Sequence, residues 1–134
     1  MLEVKLTELF LEESSRIKKR KDLVKKPMGR EIMYYKKVEY YPIITSRNDD
    51  APNFSMRLFK IGPGGYTSKH KHSFEHEVYV INGEGYIILD DKKIKIEKGN
   101  AFIIYPYETH QLLSEKGDLE FICVVPNKLK NQPE

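Results

Sequence analysis

The sequence has no tryptophan and only one cysteine, Cys123. No disulfide can form within the chain, and a reducing compartment, the cytoplasm, is the expected location. No apolar run approaches the ~18 residues of a membrane span, so a membrane is not an expected partner. The opening stretch, MLEVKLTELFLEESSRIKKRK, scatters acids among its apolar positions and makes a poor secretory signal. An excess of one charge is also missing from most of the chain. The net charge of +3 comes from residues 1–30, where nine Lys/Arg face five Asp/Glu; residues 31–134 carry fourteen against fifteen. That near-neutral body offers no broad basic face, and nucleic acid is not an expected partner. Ser/His/Asp sets, phosphate-cradling glycine loops and Cys-x-x-Cys pairs are absent. Histidine is scarce as well, with four in 134 residues, yet three of them crowd into HKHSFEH at 70–76.

What is present divides into two textures. Leu2, Leu6, Leu9 and Phe10 recur at near-helical spacing, and Pro27 and Gly29 break the pattern. Residues 1–30 are therefore expected to be a short helical basic arm and linker, its RIKKRK run a solvated face. From about residue 32 the period becomes two. EYYPIITS, FSMRLFKI, EHEVYVI, GYIILD, KIKIEKG, AFIIYP, HQLLS and LEFICVV are short β-branched and aromatic runs. GPGG, NGEG, DDKK, EKGN and EKGD punctuate them as turns. Eight or so such strands without crossover helices predict an all-β antiparallel sandwich or barrel over residues 31–134. A small barrel can hold one ligand or metal in its mouth.

Side chains in a strand alternate faces, so His70 and His72 are expected to project together. In FEHEVYV, Phe74, His76, Val78 and Val80 share one face, while Glu75, Glu77 and Tyr79 take the other. The apolar company of His76 marks its face as the inner one. His110, in YPYETHQ at the start of a later strand, supplies a fourth imidazole if that strand lies alongside. Neutral imidazole is the commonest protein ligand for Zn, Cu, Fe, Ni and Mn. The expectation is one divalent metal per chain, held by His70, His72, His76 and His110. The ligand set does not choose among these metals.

These residues resemble the cupin superfamily. Its first motif runs Gly, five residues, His-x-His, three or four residues, Glu, six residues, Gly, and Gly64, His70, His72 and Gly83 follow it, with His76 where glutamate is usual. Gly99, Pro106 and His110 resemble the second motif, with Glu108 where glycine is usual and one residue fewer between Pro and His. Together with APNFSMRLFKIGPGG, YPYETH and EFICVVP, the pattern is similar to the small single-domain cupins with a four-histidine manganese site. The resemblance covers roughly residues 50–126. It implies a double-stranded β-helix (jelly-roll-like) barrel, a homodimer and one metal inside, manganese before iron, nickel, zinc or copper.

Four neutral ligands would leave a dication its full charge, a stronger Lewis acid than a site with one carboxylate. The expected function is a metal-dependent oxidoreductase of dioxygenase type acting on a small organic molecule. The alternatives are a non-catalytic module that binds a small ligand or metal, and a cupin isomerase. A regulator that touches nucleic acid through its basic arm ranks last, because no helix-turn-helix is present. Catalytic residues are not assigned by the sequence, but four side chains are candidates near the metal. Cys123 shares a face with Leu119, Phe121 and Val125, as a small hydrophobe or, as the resemblance implies, facing the metal cavity. Arg57 is a candidate for a substrate carboxylate, against a plain surface arginine. Glu108 and Tyr105, close to His110 in sequence, are candidates for proton transfer or ligand support.

Overall fold

The computed structural model describes residues 16–28 and 34–127. The period-two runs form six strands in an antiparallel sheet. They are β1 (Lys36–Ile44), β2 (Phe54–Tyr66), β3 (His76–Leu89), β4 (Lys92–Glu97), β5 (Ala101–Ile104) and β6 (His110–Pro126). Hydrogen-bonded neighbours follow the order β1-β2-β6-β3-β4, and β5 pairs with the first part of β3. Both β4 and β5 thus lie on the same edge of β3, β5 against His76–Tyr79 and β4 against Glu84–Leu89. Ile96 of β4 and Ile104 of β5 nevertheless enter one hydrophobic core. The long strands must therefore bend over that core, which rolls the sheet into the expected all-β barrel.

The eight runs become six strands because two glycine-bearing stretches, NGEG and EKGD, are bends that join two runs into one strand, and a third, GPGG, is a bend that extends β2. NGEG lies within β3, EKGD within β6, and GPGG within β2. Each coincides with a register shift: Ile61/Tyr66 between β2 and β6, Val80/Asn82 and Gly83/Gly85 between β3 and β6. Such bulges bend a strand and strengthen its twist. Gly83 sits at φ +78°, and a Cβ there would meet the Asp118 carbonyl oxygen at 1.9 Å. A Cβ on Gly85 would meet the Leu113 carbonyl oxygen at 2.0 Å. Glycine is needed where β3 and β6 approach this closely.

The interior is filled by alternate residues of these strands. Phe59, Ile61, Val78, Val80, Ile87 and Phe121 are among its buried side chains. Each fully buried aliphatic or aromatic side chain contributes about 1.5–3 kcal/mol relative to exposure. Directly paired residues build an aromatic ladder across β1, β2 and β6: Tyr40 stacks on Phe59 at 5.1 Å and Phe59 on Phe121 at 5.3 Å.

The Leu2, Leu6, Leu9 and Phe10 stripe of the expected helical arm lies outside the described residues. Residues 16–28 hold one 3-10 turn, Arg20–Asp22, and then a bridge between Lys26 and Tyr40 at the edge of β1. A continuous helix would align like charges such as Arg16 and Arg20 with no apolar face to bury. Instead the cations spread over the barrel. Lys18 pairs with Asp49 at 2.7 Å, and Arg20 pairs with Glu120. Among the described residues no helix is long and apolar enough to cross a membrane.

Gly83→Ala is expected to destabilise the protein by about 1–3 kcal/mol or more, since it adds both a left-handed strain and a backbone clash. Gly85→Ala should also destabilise, by clash alone. At Gly117 an added Cβ meets nothing within 4 Å, so Gly117→Ala should be nearly neutral. Denaturant melts of the three variants check this.

Candidate metal centre

Three chain segments deliver the four histidines. His76 opens β3, His110 opens β6, and His70 and His72 lie on the connection between β2 and β3. His70 and His110 exchange both main-chain hydrogen bonds, at 3.2 and 2.9 Å, so the connection adds one rung beside β6. Nitrogens of His70, His72 and His110 lie within 4.8 Å of one another, a cluster that can hold a metal ion. The His76 ring stacks on His72 at 4.4 Å and stands 5.3 Å from His110. Three imidazoles therefore converge and the His76 ring adjoins two of them, but His70 and His72 do not share a regular strand. His72 is fixed separately, by the Tyr107 N–H donating to its carbonyl at 2.8 Å.

The far side of each ring is already engaged. Nδ1 of His72 bonds to the Phe74 carbonyl at 2.9 Å, that of His110 to the Glu108 carbonyl at 2.9 Å, and that of His70 to the Ser68 carbonyl at 3.1 Å. A carbonyl only accepts, so each Nδ1 carries the proton and each Nε2 presents a lone pair. The fourth ring differs: Nδ1 of His76 lies 2.9 Å from Sγ of Cys123. Arg57 Nη2 donates to the same sulfur at 3.2 Å. A thiol can donate or accept, so its contact with His76 holds that ring in place without fixing its tautomer. The Nε2 atoms of His72, His76 and His110 are buried and have no hydrogen-bond partner. Buried polar atoms are nearly always satisfied. Three unpartnered nitrogens on neighbouring rings, each ring engaged at its other nitrogen, fit a cation.

Electrostatics favour the same reading. Burial pulls His72 down from the usual 6.5 to about 4, with the neighbouring His110 adding to the effect. Burial, followed by the Arg57 charge, pushes His76 lower still, and burial lowers His110 against the opposing hydrogen bond to Glu108. These imidazoles stay neutral at neutral pH, the form that ligates metals.

The other candidates separate. Cys123 is only 2% exposed and touches His76, so it faces the cluster rather than serving merely as a small hydrophobe. Burial raises its thiol pKa, and Arg57 opposes the shift. Arg57 is partly buried and lies on the inner face with Phe59, its guanidinium 5.2 Å from that ring. Glu108 braces its own turn, its carboxylate accepting from the Tyr105 N–H at 2.7 Å. Its carbonyl, not its carboxylate, contacts His110. The Tyr105 side chain is 59% exposed. Sequence reading did not single out Ser68 or Tyr107, whose main-chain groups orient His70 and His72. Tyr107 takes φ +67°, so the left-handed residue of this loop precedes the position where the motif usually has glycine. Main-chain roles leave little trace in residue identity.

His72 and His76 are neutral in the folded chain at pH values where an unfolded histidine is protonated. The unfolded state thus binds more protons between pH 6.5 and about 4, and stability must rise with pH across that window. Metal-free protein is expected to be most stable above pH 6.5 and to lose stability as pH falls towards 4. Denaturant titrations at a series of pH values check this; His72→Gln should flatten the dependence.

Comparison with known proteins gives partial matches along the sequence and a closer one in shape. Over 51 residues, 38% of this chain, it is 39% identical to YfiF of Bacillus subtilis (strain 168), an uncharacterized HTH-type transcriptional regulator. Over 80 residues, 59% of this chain, it is 25% identical to the 1-methylthio-D-xylulose 5-phosphate methylsulfurylase of Rhodospirillum rubrum. The matches span 16% and 51% of those two relatives. The polyketide cyclase RemF from Streptomyces resistomycificus superposes with a TM-score of 0.77 at 26% identity, over 84% of this chain and 79% of that one. Residues 57–125, more than half of the sequence and the part that carries all four histidines, match the family described as Cupin domain, and the chain belongs to that family.

Proposed function

We propose that the protein is a mononuclear metalloenzyme in which His70, His72, His76 and His110 hold one divalent ion, manganese by resemblance, and that it oxidises a small organic substrate with dioxygen. The observation that carries this reading is the set of bare, buried Nε2 atoms whose Nδ1 partners are already in place. A divalent ion held there would supply Lewis acidity and open positions for oxygen ligands. The chain's own residues do the rest. Carbonyls of Ser68, Phe74 and Glu108 fix the ring planes, and Phe74, stacked 4.0 Å from His72, shields the cluster from water. Burial keeps the imidazoles of His72, His76 and His110 unprotonated. The enzymes named among its relatives lend support to a catalytic role, although their reactions differ from one another. Its place of action is proposed to be the cytoplasm.

The match to a transcriptional regulator favours a second reading, a non-catalytic domain that senses a small ligand. Untagged protein should carry about one divalent ion per chain by elemental analysis, and His76→Ala or His110→Ala should remove most of it. Metal-loaded protein should then consume oxygen with a member of a panel of diols, keto acids and flavonoids, and those variants should not. A full metal site with no consumption across the panel would favour the sensing domain.

Two copies are further proposed to pair through the outer face of β3, β5 and β6. There Tyr79, Ala101, Ile103, Ile122 and Val124 line an apolar depression of about 440 Å³. Sedimentation should give a dimer mass, and Tyr79→Lys should shift it to the monomer.

A further inference from the structure

Arg57 is the charge in this interior that has no counter-charge among the described residues. Its position on β2 sets it opposite Cys123 of β6, which in turn pairs with Val78 of β3, two residues from His76. The guanidinium therefore shares the inner face with the histidine cluster. Its contacts are one donation from Nη2 to the Cys123 sulfur at 3.2 Å and the face of Phe59 at 5.2 Å. Nε is buried and has no partner, and no carboxylate forms an ion pair with Arg57 among the described residues. The contrast with Glu120 is informative. That side chain, 5% exposed, is matched by Arg20 and by Asn82 Nδ2 at 3.0 Å. The fold satisfies the buried charge of Glu120 and leaves the partly buried one of Arg57 open.

A guanidinium always keeps its proton, so Arg57 cannot escape the cost of partial burial by becoming neutral. A cation facing apolar walls is costly unless an anion reaches it. Around it stand neutral imidazoles and, on the reading proposed above, a dication. Every fixed charge in the chamber is then positive. Arginine's planar fork matches an oxyanion side-on, and its Nε–H is one tine of that fork. A single fork with apolar neighbours suits a planar monoanion better than a phosphate, which calls for more donors.

We infer that Arg57 is a specificity residue, and that the small organic molecule taken by this site carries a carboxylate which Arg57 binds through its unpartnered Nε–H. This deepens the function proposed above and rests on it for the metal, but the carboxylate contact can be measured without one.

The test uses full-length protein at pH 8, metal-free and zinc-loaded, with metal content determined separately. Acetate, pyruvate and benzoate are titrated beside their uncharged amides, with inorganic phosphate as a further probe. Binding is read from the Arg57 Nε–H resonance and from calorimetry. At least one carboxylate should bind metal-free protein about ten- to hundredfold more tightly than its amide. Arg57→Met should abolish that preference while leaving amide binding unchanged, and Arg57→Lys should restore part of it. Thermal melts and zinc uptake of both variants establish that they are folded. Equal affinity for acid and amide, a preference that survives in folded Arg57→Met, tighter binding of phosphate, or no binding of any carboxylate to either form would overturn the inference. Carboxylate preference in protein that takes up no metal would uphold the role of Arg57 and sink the metalloenzyme; a full metal site without the preference would do the reverse.

Discussion

Hydrogen bonds from imidazole Nδ1 to main-chain carbonyls two residues away organise the interior of this barrel. His70 reaches back to Ser68, His110 back to Glu108, and His72 forward to Phe74. Each bond fixes a tautomer and a ring plane together, because the carbonyl has only one role to play. The consequence is directional: every lone pair that remains is on Nε2. An imidazole held by packing alone could turn its ring and bond elsewhere, and a buried cluster would then satisfy itself internally. Here that escape is closed, and the cluster is left bare.

Those short-range bonds would have no common target without the bent strands. β3 and β6 run side by side through most of their length, and they begin at His76 and His110. The close approach at Gly83 and Gly85 lets both strands curve over one core, so the connection after β2 can lie against the start of β6. The exchange of main-chain bonds between His70 and His110 completes that approach. Glycine at the bend and histidine at the mouth are thus parts of one arrangement, separated along β3 by a few residues whose inward side chains, Val78 and Val80, are core.

Much of this could be read from the sequence, wherever alternation alone decided the outcome. Val78 and Val80 are buried while Glu75, Glu77 and Tyr79 are exposed, which follows from period two and the apolar company of His76. The convergence of His110 could be anticipated because four histidines in a chain so poor in them had to be explained together. Strand number could not be read in the same way. A glycine-rich stretch between two β runs serves equally as a hairpin turn or as a bulge within one long strand, and only the pairing partner distinguishes them. The same limit hid the contact between Arg57 and Cys123, residues 66 apart that meet through the register of β2 on β6. Glu108 shows the opposite error: its carboxylate drew attention, but its carbonyl does the orienting.

The barrel therefore stores an unfavourable interior. Each buried polar atom without a partner costs about 1–3 kcal/mol, and three such nitrogens lie in one cluster beside an unpaired guanidinium. Apolar side chains of similar volume would make a more stable protein. Among the described residues the buried side-chain nitrogens and oxygens without a partner are concentrated where a ligand would relieve them. Whatever binds the folded form alone returns stability in proportion to the logarithm of its concentration over its dissociation constant. Relief by a cation at the nitrogens would add positive charge near Arg57, so it would leave the second demand, for an anion, stronger than before. The two needs are met together only by a cation and an anionic guest in the same chamber.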